Sequence, residues 1–166
     1  MTLTAAGSPY TGTSTTISEG VTVTVEPGAL VKLTGSLTSK GTLDVNGTAE
    51  APAVFTSSAD SAPGQWTGVV LQAGGGSSSL RHAEVRYAKT GVAISGGISP
   101  TVEYSYIHHA SGVGIAATDG SPEIAHNTVS DNANMAISYQ SLTSQAKIHD
   151  NLVERNASGI GAAFHG

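Results

Sequence analysis

The sequence predicts an all-β solenoid, a parallel β-helix with roughly seven coils of about 22 residues. Three columns of apolar residues recur from residue 80 onwards, with steps of 22 to 24 residues between successive members. The columns are Leu80, Val102, Ile124 and Ile148; Val85, Ile107, Val129 and Val153; and Val92, Ile115, Ile137 and Ile160. Such a fixed period is typical of units that bury their apolar faces only by stacking on their neighbours.

The residues between these columns indicate strands rather than helices. Short β-branched segments are bounded by Gly, Ser, Pro and Asn, and no sustained i, i+3, i+4, i+7 pattern occurs. Asn127 and Asn151 hold equivalent positions in successive coils, as do Asn132 and Asn156. Stacked amides can hydrogen-bond along the solenoid axis, and Asn tolerates the left-handed backbone of a sharp turn. We therefore expect Asn ladders in the C-terminal half, with the Asn residues at the turns.

The chain is predicted to form one domain over residues 1–166, with three parts. Residues 1–20 are expected to be an N-terminal edge or cap, 21–65 less regular first coils, and 66–166 regular coils. Short strands are predicted at 21–25, 29–33, 37–38, 42–45 and 54–56, with a turn at 26–28 and loops at 57–65 and 74–79.

The segment 159–166 begins a further coil. The C-terminal end is therefore expected to be open. This expectation fits either a fragment of a longer chain or an edge through which chains self-associate end to end.

Three segments resemble a known group of proteins. The segment from Ser121 to Val129, the opening Glu19–Gly28 and the Trp-containing step Gln65–Val69 are similar to right-handed parallel β-helix repeats of secreted bacterial proteins, the pectate-lyase-like superfold. The resemblance implies a right-handed solenoid and an extracellular or cell-surface location. The group includes polysaccharide lyases, hydrolases, surface proteins and scaffolds, so it does not imply one function.

Composition excludes several classes of function. The formal charge is −5 with only seven Lys and Arg residues, which argues against a nucleic-acid partner. No apolar run approaches the roughly 18 residues that a membrane span requires. Cysteine is absent, so the fold has no disulfides. We expect no cofactor.

A polar stripe is predicted directly after the second apolar column. Arg86, His108, Ser130 and Glu154 occupy the next position of each coil, and Tyr87, His109, Asp131 and Arg155 the one after. The predicted saccharide-binding residues are Arg86, Tyr87, His108, His109, Asp131 and Arg155, because rings stack on sugars and carboxylates accept from hydroxyls. The catalytic candidates are Asp131 and Glu154 as an acid/base pair, with His109 and Arg155. The sequence leaves open which column faces outward, and an ordinary solvated face is the alternative.

The histidines do not predict a metal site. His82 and His126 share a column but lie two coils apart, roughly 10 Å, and His149 in the neighbouring column adds only one nearby partner. Asp150 falls in the column of His126. The adjacent His108 and His109 are expected to point to opposite faces if both lie in a strand.

The acidic residues decide between the functional interpretations. The twelve Asp and Glu residues are spread along the chain and include no Asp-x-Asp or adjacent Asp pair, so a calcium-dependent lyase site is not indicated. We therefore predict an extracellular or cell-surface module that is structural or contacts glycans, without catalytic machinery. One alternative is a polysaccharide lyase or glycoside hydrolase that acts through the polar stripe. The other is a solenoid that self-assembles end to end.

Overall fold

The protein is a parallel β-helix of seven coils in the computed structural model, which describes residues 1–74 and 77–164. Each coil contributes one strand to each of three seven-stranded sheets, and each strand pairs in parallel with its equivalents in the adjacent coils. The predicted fold class is thereby confirmed. Part of the predicted loop at 74–79 and the end of the segment 159–166 lie outside the described residues.

The strands fall into three sheets. Sheet 1 contains β1 (Thr2–Leu3), β4 (Thr22–Val25), β7 (Thr42–Asn46), β10 (Ser79–Arg81), β13 (Thr101–Glu103), β16 (Glu123–Ala125) and β19 (Lys147–His149). Sheet 2 contains β2 (Tyr10–Gly12), β5 (Leu30–Leu33), β8 (Ala53–Ser57), β11 (Ala83–Arg86), β14 (Tyr106–His108), β17 (Thr128–Ser130) and β20 (Leu152–Glu154). Sheet 3 contains β3 (Thr15–Ile17), β6 (Ser36–Ser39), β9 (Gly68–Leu71), β12 (Val92–Ile94), β15 (Ile115–Thr118), β18 (Met135–Ser141) and β21 (Ser158–Phe164).

The three apolar columns form the core, one column for each sheet. Leu80 pairs with Val102, which pairs with Ile124, and the other two columns follow the same register. All members up to Ile137 are buried. Strand side chains alternate between the two faces of a sheet, so every second residue enters the core, and stacking the coils buries a continuous apolar column.

The Asn ladders are confirmed. Asn127 Nδ2 donates to Asn151 Oδ1 at 3.0 Å, and Asn132 Nδ2 donates to Asn156 Oδ1 at 2.8 Å. The Asn127 side chain also accepts from the backbone N–H of Ser105 and donates to the carbonyl of Val102. The ladders therefore pair buried backbone groups at the corners, which would otherwise cost free energy.

The expected backbone conformation of these Asn residues is wrong. The left-handed residue at each corner is the one immediately before the Asn, so the Asn side chain turns inward. Both corners have a left-handed residue in four successive coils, followed by Ala or Ser in the first two coils and by Asn in the last two. The left-handed residues are His82, Tyr104, His126 and Asp150 between sheets 1 and 2, and Tyr87, His109, Asp131 and Arg155 between sheets 2 and 3.

The two ends of the solenoid are formed by the edge strands of the three sheets. Residues 1–20, expected to be an edge or cap, contribute β1, β2 and β3, the first strand of each sheet. On the outermost strands at the other end, Leu152 and Ile160 are exposed. End-to-end association through this edge stays a prediction. Within the described part of the chain, no helix is long and apolar enough to cross a membrane.

Candidate functional site

Both columns of the polar stripe face outward. Val85 is buried in the core, and Arg86 in β11 then faces outward by ordinary strand alternation. The following residue, Tyr87, has a φ of 60°, and this left-handed conformation turns its side chain outward as well before Ala88 returns to the core. Both columns, and not only one of them, therefore lie outside the core. The outer face of sheet 2 and its corner with sheet 3 thus carry two adjacent polar columns, in which Ser130 is covered by its neighbours.

An ion pair holds a loop against one end of this face. Residues 57–65 connect β8 to β9, and Asp60 in this loop accepts two hydrogen bonds from Arg86, at 2.8 and 2.7 Å. Arg86 also donates to Glu84, and Glu84 accepts from His108 Nε2 at 3.2 Å. Arg86 and His108, two of the predicted binding residues, are thus engaged within the protein, and His108 is only 8% exposed.

This network sets the charge states of its members. The hydrogen bonds from Arg86 lower the pKa of Asp60 from 3.8 to about 2, with Thr56 and Lys32 adding to the effect. The hydrogen bond from His108, followed by that from Arg86, lowers the pKa of Glu84. Asp60 raises the pKa of Arg86 further above its usual value. Both carboxylates are therefore ionised at neutral pH.

The adjacent histidines lie on the same face, because only His108 belongs to a strand and the condition for their pointing apart is not met. His108 ends β14, whereas His109 is the left-handed corner residue, with a φ of 54°. Their Nδ1 atoms are 2.6 Å apart. At this separation one Nδ1 donates to the other, and the tautomers of the two rings decide which one is the donor. The ring of Tyr87 lies against His109, with centroids 5.7 Å apart.

A second ion pair occupies the opposite end of the stripe. Arg155 donates two hydrogen bonds to Asp131, at 2.7 and 2.9 Å, and its Nη1 lies 2.9 Å from Glu154. These contacts hold the pKa of Asp131 well below its usual range, with the hydroxyl of Ser130 contributing. The two residues predicted as an acid/base pair are therefore brought together, but around a guanidinium that binds both carboxylates.

A shallow cleft of about 250 Å³, which the sequence analysis missed, borders the stripe. Tyr104 and Tyr106 line it and are 42% and 37% exposed. His82 and Glu84 also line the cleft, and the loop at 48–52 forms its other side. The signal in the sequence was the alternation Tyr-Ser-Tyr at 104–106, which sends both rings outward around an inward Ser.

Aromatic rings stack along the corner between sheets 1 and 2. Tyr104 stacks between His82 and His126, with centroid distances of 5.4 and 4.8 Å, and the guanidinium of Arg81 lies 4.7 Å from its centroid. His82 and His126 thus lie two coils apart, as expected, with Tyr104 between their rings. Tyr106 stacks on His108 with centroids 4.0 Å apart and an interplanar angle of 16°.

The last part of this corner brings three potential metal ligands together. Ligand atoms of His126, His149 and Asp150 all lie within 4.8 Å of one another, although the sequence analysis indicated no metal site. The hydrogen bond between His149 and Asp150 raises the pKa of the imidazole, with a contribution from Glu123, and lowers the pKa of the Asp150 carboxyl.

Comparison with known proteins adds one finding. Residues 53–166, more than half of the chain, match the family model described as "Right handed beta helix region". This segment contains both ion pairs, the aromatic stack and the side of the cleft formed by His82, Glu84, Tyr104 and Tyr106, whereas the loop at 48–52 precedes it. No curated protein and no solved structure gives a significant match to the chain.

Proposed function

We propose, since the chain belongs to the right-handed β-helix family, that it is an extracellular or cell-surface module that binds an extended neutral polysaccharide on sheet 2. The observation that carries this proposal is the cleft lined by Tyr104 and Tyr106 beside a continuous polar stripe. An extended polymer is favoured because polar side chains occupy equivalent positions in successive coils, about 4.8 Å apart along the axis.

The chemistry of the cleft suits a sugar. Tyr106 offers partly exposed ring surface for the apolar face of a pyranose, while the hydroxyl of Tyr104 and the carboxylate of Glu84 can hydrogen-bond to sugar hydroxyls. A volume of about 250 Å³ is smaller than the ~300–1,000 Å³ of pockets for drug-sized ligands. The cleft therefore fits one sugar unit, and the neighbouring units extend over the stripe.

Charge favours a neutral polymer over a polyuronate. The chain carries a formal charge of −5, and the cationic groups near the cleft and along the stripe are already paired; Arg81, whose guanidinium lies over Tyr104, binds Glu103. Arg86 binds Asp60 and Glu84, while Arg155 binds Asp131 and Glu154. Acidic sugars would have to displace these carboxylates, and the net negative charge would oppose their approach.

The charge states support binding rather than cleavage. A glycosidase needs a carboxylic acid that is protonated near neutral pH, which requires a raised pKa. Asp131 and Glu84 instead have lowered pKa values because Arg155 in one case and His108 in the other stabilise the carboxylate. The carboxylates predicted as an acid/base pair are also bridged by Arg155, which occupies the space between them.

Affinity electrophoresis through gels that contain neutral or acidic polysaccharides tests the proposal. Tyr106→Ala removes the ring and is expected to weaken binding at least about tenfold, or about 1.4 kcal/mol. Tyr106→Phe is the matched control, since it keeps the ring and loses only a hydroxyl that lies 3.3 Å from Ser130 Oγ. Retardation by neutral polymers that survives in the Phe variant and is lost in the Ala variant supports the proposal.

Two results would contradict it. Equal retardation of the wild type and Tyr106→Ala would place any glycan contact elsewhere on the molecule. Release of reducing ends from a polysaccharide, abolished by Asp131→Asn or Glu154→Gln, would instead establish the catalytic alternative.

A further inference from the structure

The corner between sheets 1 and 2 ends in a cluster of two imidazoles and a carboxylate. His126 and Asp150 are equivalent left-handed residues one coil apart, and His149 is the last residue of β19. All three side chains are exposed, and their potential ligand atoms lie within 4.8 Å of one another. We propose that His126, His149 and Asp150 bind a divalent transition-metal ion of the zinc type.

The distances are compatible with a bound ion after small side-chain rotations. Zinc binds imidazole nitrogen and carboxylate oxygen at about 2.0–2.2 Å, so ligand atoms in a tetrahedral site are roughly 3.3 Å apart. The pair His149 Nδ1 and Asp150 Oδ2 is already at 2.8 Å. Closing the remaining separations requires a movement of about 1.5 Å at most, which exposed side chains can make on a fixed backbone.

The solenoid holds the imidazole of His126 in place without a ligand. Its ring stacks on Tyr104 with centroids 4.8 Å apart and an interplanar angle of 10°. The ring of His149 meets it edge-on, with centroids 5.7 Å apart. The backbone hydrogen bond from His126 N to His149 O, at 3.4 Å, joins the two coils beside the cluster. The relative placement of the two imidazoles therefore follows from coil stacking.

The carboxylate of Glu123 lies beside the second ring nitrogen of His149, where a metal-binding histidine commonly has a hydrogen-bond partner. His149 Nε2 lies 3.5 Å from Glu123 Oε1, on the opposite side of the ring from Nδ1. Metal-binding histidines usually donate their second N–H to a carboxylate, which fixes the tautomer and makes the ligand more basic. With Nδ1 on the metal, His149 would donate Nε2–H to Glu123.

The donor set selects the class of metal. Two imidazoles and one carboxylate suit Zn²⁺, Ni²⁺ or Cu²⁺, whereas Ca²⁺ and Mg²⁺ prefer oxygen ligands throughout. Three protein ligands leave a fourth position for water or another small ligand. The same corner in earlier coils holds His82 and Tyr104, and the three-ligand set occurs within the described residues only around Asp150.

Calorimetric titration of the wild-type chain with Zn²⁺ tests the site. We expect about one ion per chain, with no measurable binding of Ca²⁺ under the same conditions. His126→Asn and Asp150→Asn each remove one ligand, and Asn tolerates the left-handed backbone at both positions. Their affinity is expected to fall by more than about tenfold. Glu123→Ala, which removes only the partner of His149, is expected to cost about 10- to 100-fold.

His82→Asn is the matched control. His82 occupies the same corner, has a φ of 48° and stacks on the other face of Tyr104, but lies outside the cluster. This variant should bind Zn²⁺ like the wild type. The absence of Zn²⁺ binding, an equal loss in the His82 variant, or a preference for Ca²⁺ would overturn the proposal.

A second measurement needs no variant. In the imidazole NMR spectrum, Zn²⁺ should perturb the ring signals of His126 and His149 at the first equivalent and leave those of His82 nearly unchanged. Uniform perturbation of all imidazoles would indicate non-specific binding and would contradict the assignment.

Discussion

Asp60 offers the sharpest test of how the loop at 57–65 is held on sheet 2. Its carboxylate accepts two hydrogen bonds from Arg86 and one from Thr56 at 2.6 Å, and Lys32 lies 3.9 Å away. Asp60→Asn removes the charge. The variant keeps the backbone, because Asn tolerates the φ of 51° at this position.

The expected loss follows from the pKa of Asp60. A lowering from 3.8 to about 2 corresponds to about 2 kcal/mol of folding stability at neutral pH. Because the folded-state pKa is below the unfolded one, this stabilisation is complete above the unfolded value and is lost as the pH falls through about 2. The destabilisation caused by Asp60→Asn should therefore shrink from about 2 kcal/mol at pH 7 to about 1 kcal/mol at pH 3.

Urea unfolding followed by tryptophan fluorescence measures this effect. Trp66 is the only tryptophan, is buried, and donates from Nε1 to the carbonyl of Arg86 at 2.8 Å, so it reports on the loop and its anchor. Asp119→Asn is the control, since Asp119 is exposed with a φ of 59°. Its effect should stay within about 0.5 kcal/mol at both pH values. Equal destabilisation by Asp60→Asn at pH 7 and pH 3, or none at pH 7, would refute the reasoning.

Two further predictions concern the ladder and the second ion pair. Asn132→Ala leaves the buried N–H of Ala110 without its acceptor and should cost about 1–3 kcal/mol, a fall of several degrees in Tm by calorimetry; a change below about one degree would contradict it. Arg155→Ala removes the donor that lowers the pKa of Asp131, so this pKa should rise towards its ordinary value of 3.8 in an NMR titration, and an unchanged pKa would exclude Arg155 as the cause.

The fold was predictable because the apolar residues that form its core recur periodically in the sequence. Each apolar column recurs every 22 to 24 residues, and a residue such as Ile107 contacts equivalents whose positions follow from the period. The Asn ladders were predictable for the same reason. Because the strands pair in parallel and in register, residues one period apart in the sequence are neighbours in space. The apolar columns therefore identify the core from the sequence alone.

The corner geometry was less accessible to sequence reasoning. The left-handed positions hold His, Tyr, Asp and Arg rather than Gly or Asn alone, so residue type does not mark them. For example, His108 and His109 would diverge if both lay in a strand, but His109 is a left-handed corner residue and both rings lie on one face. The reversal of alternation at a corner depends on coil closure, which local propensity does not encode.

The contacts of the candidate site were the hardest to predict, because they depart from the period. Asp60 reaches Arg86 from an irregular loop, and no column places them together. The cluster of His126, His149 and Asp150 joins two neighbouring columns across two coils. The sequence analysis paired His149 with His126 across the two columns but did not include Asp150, whose carboxylate the folded corner brings close to both imidazoles.

A crystal structure of the chain with the neutral oligosaccharide that it binds most tightly tests the central claim most directly. We predict a sugar ring in the cleft against Tyr106, within hydrogen-bond distance of Glu84 or Tyr104, with further units along the stripe towards Asp131. Binding on another face of the solenoid, with the cleft left to solvent, would contradict the account.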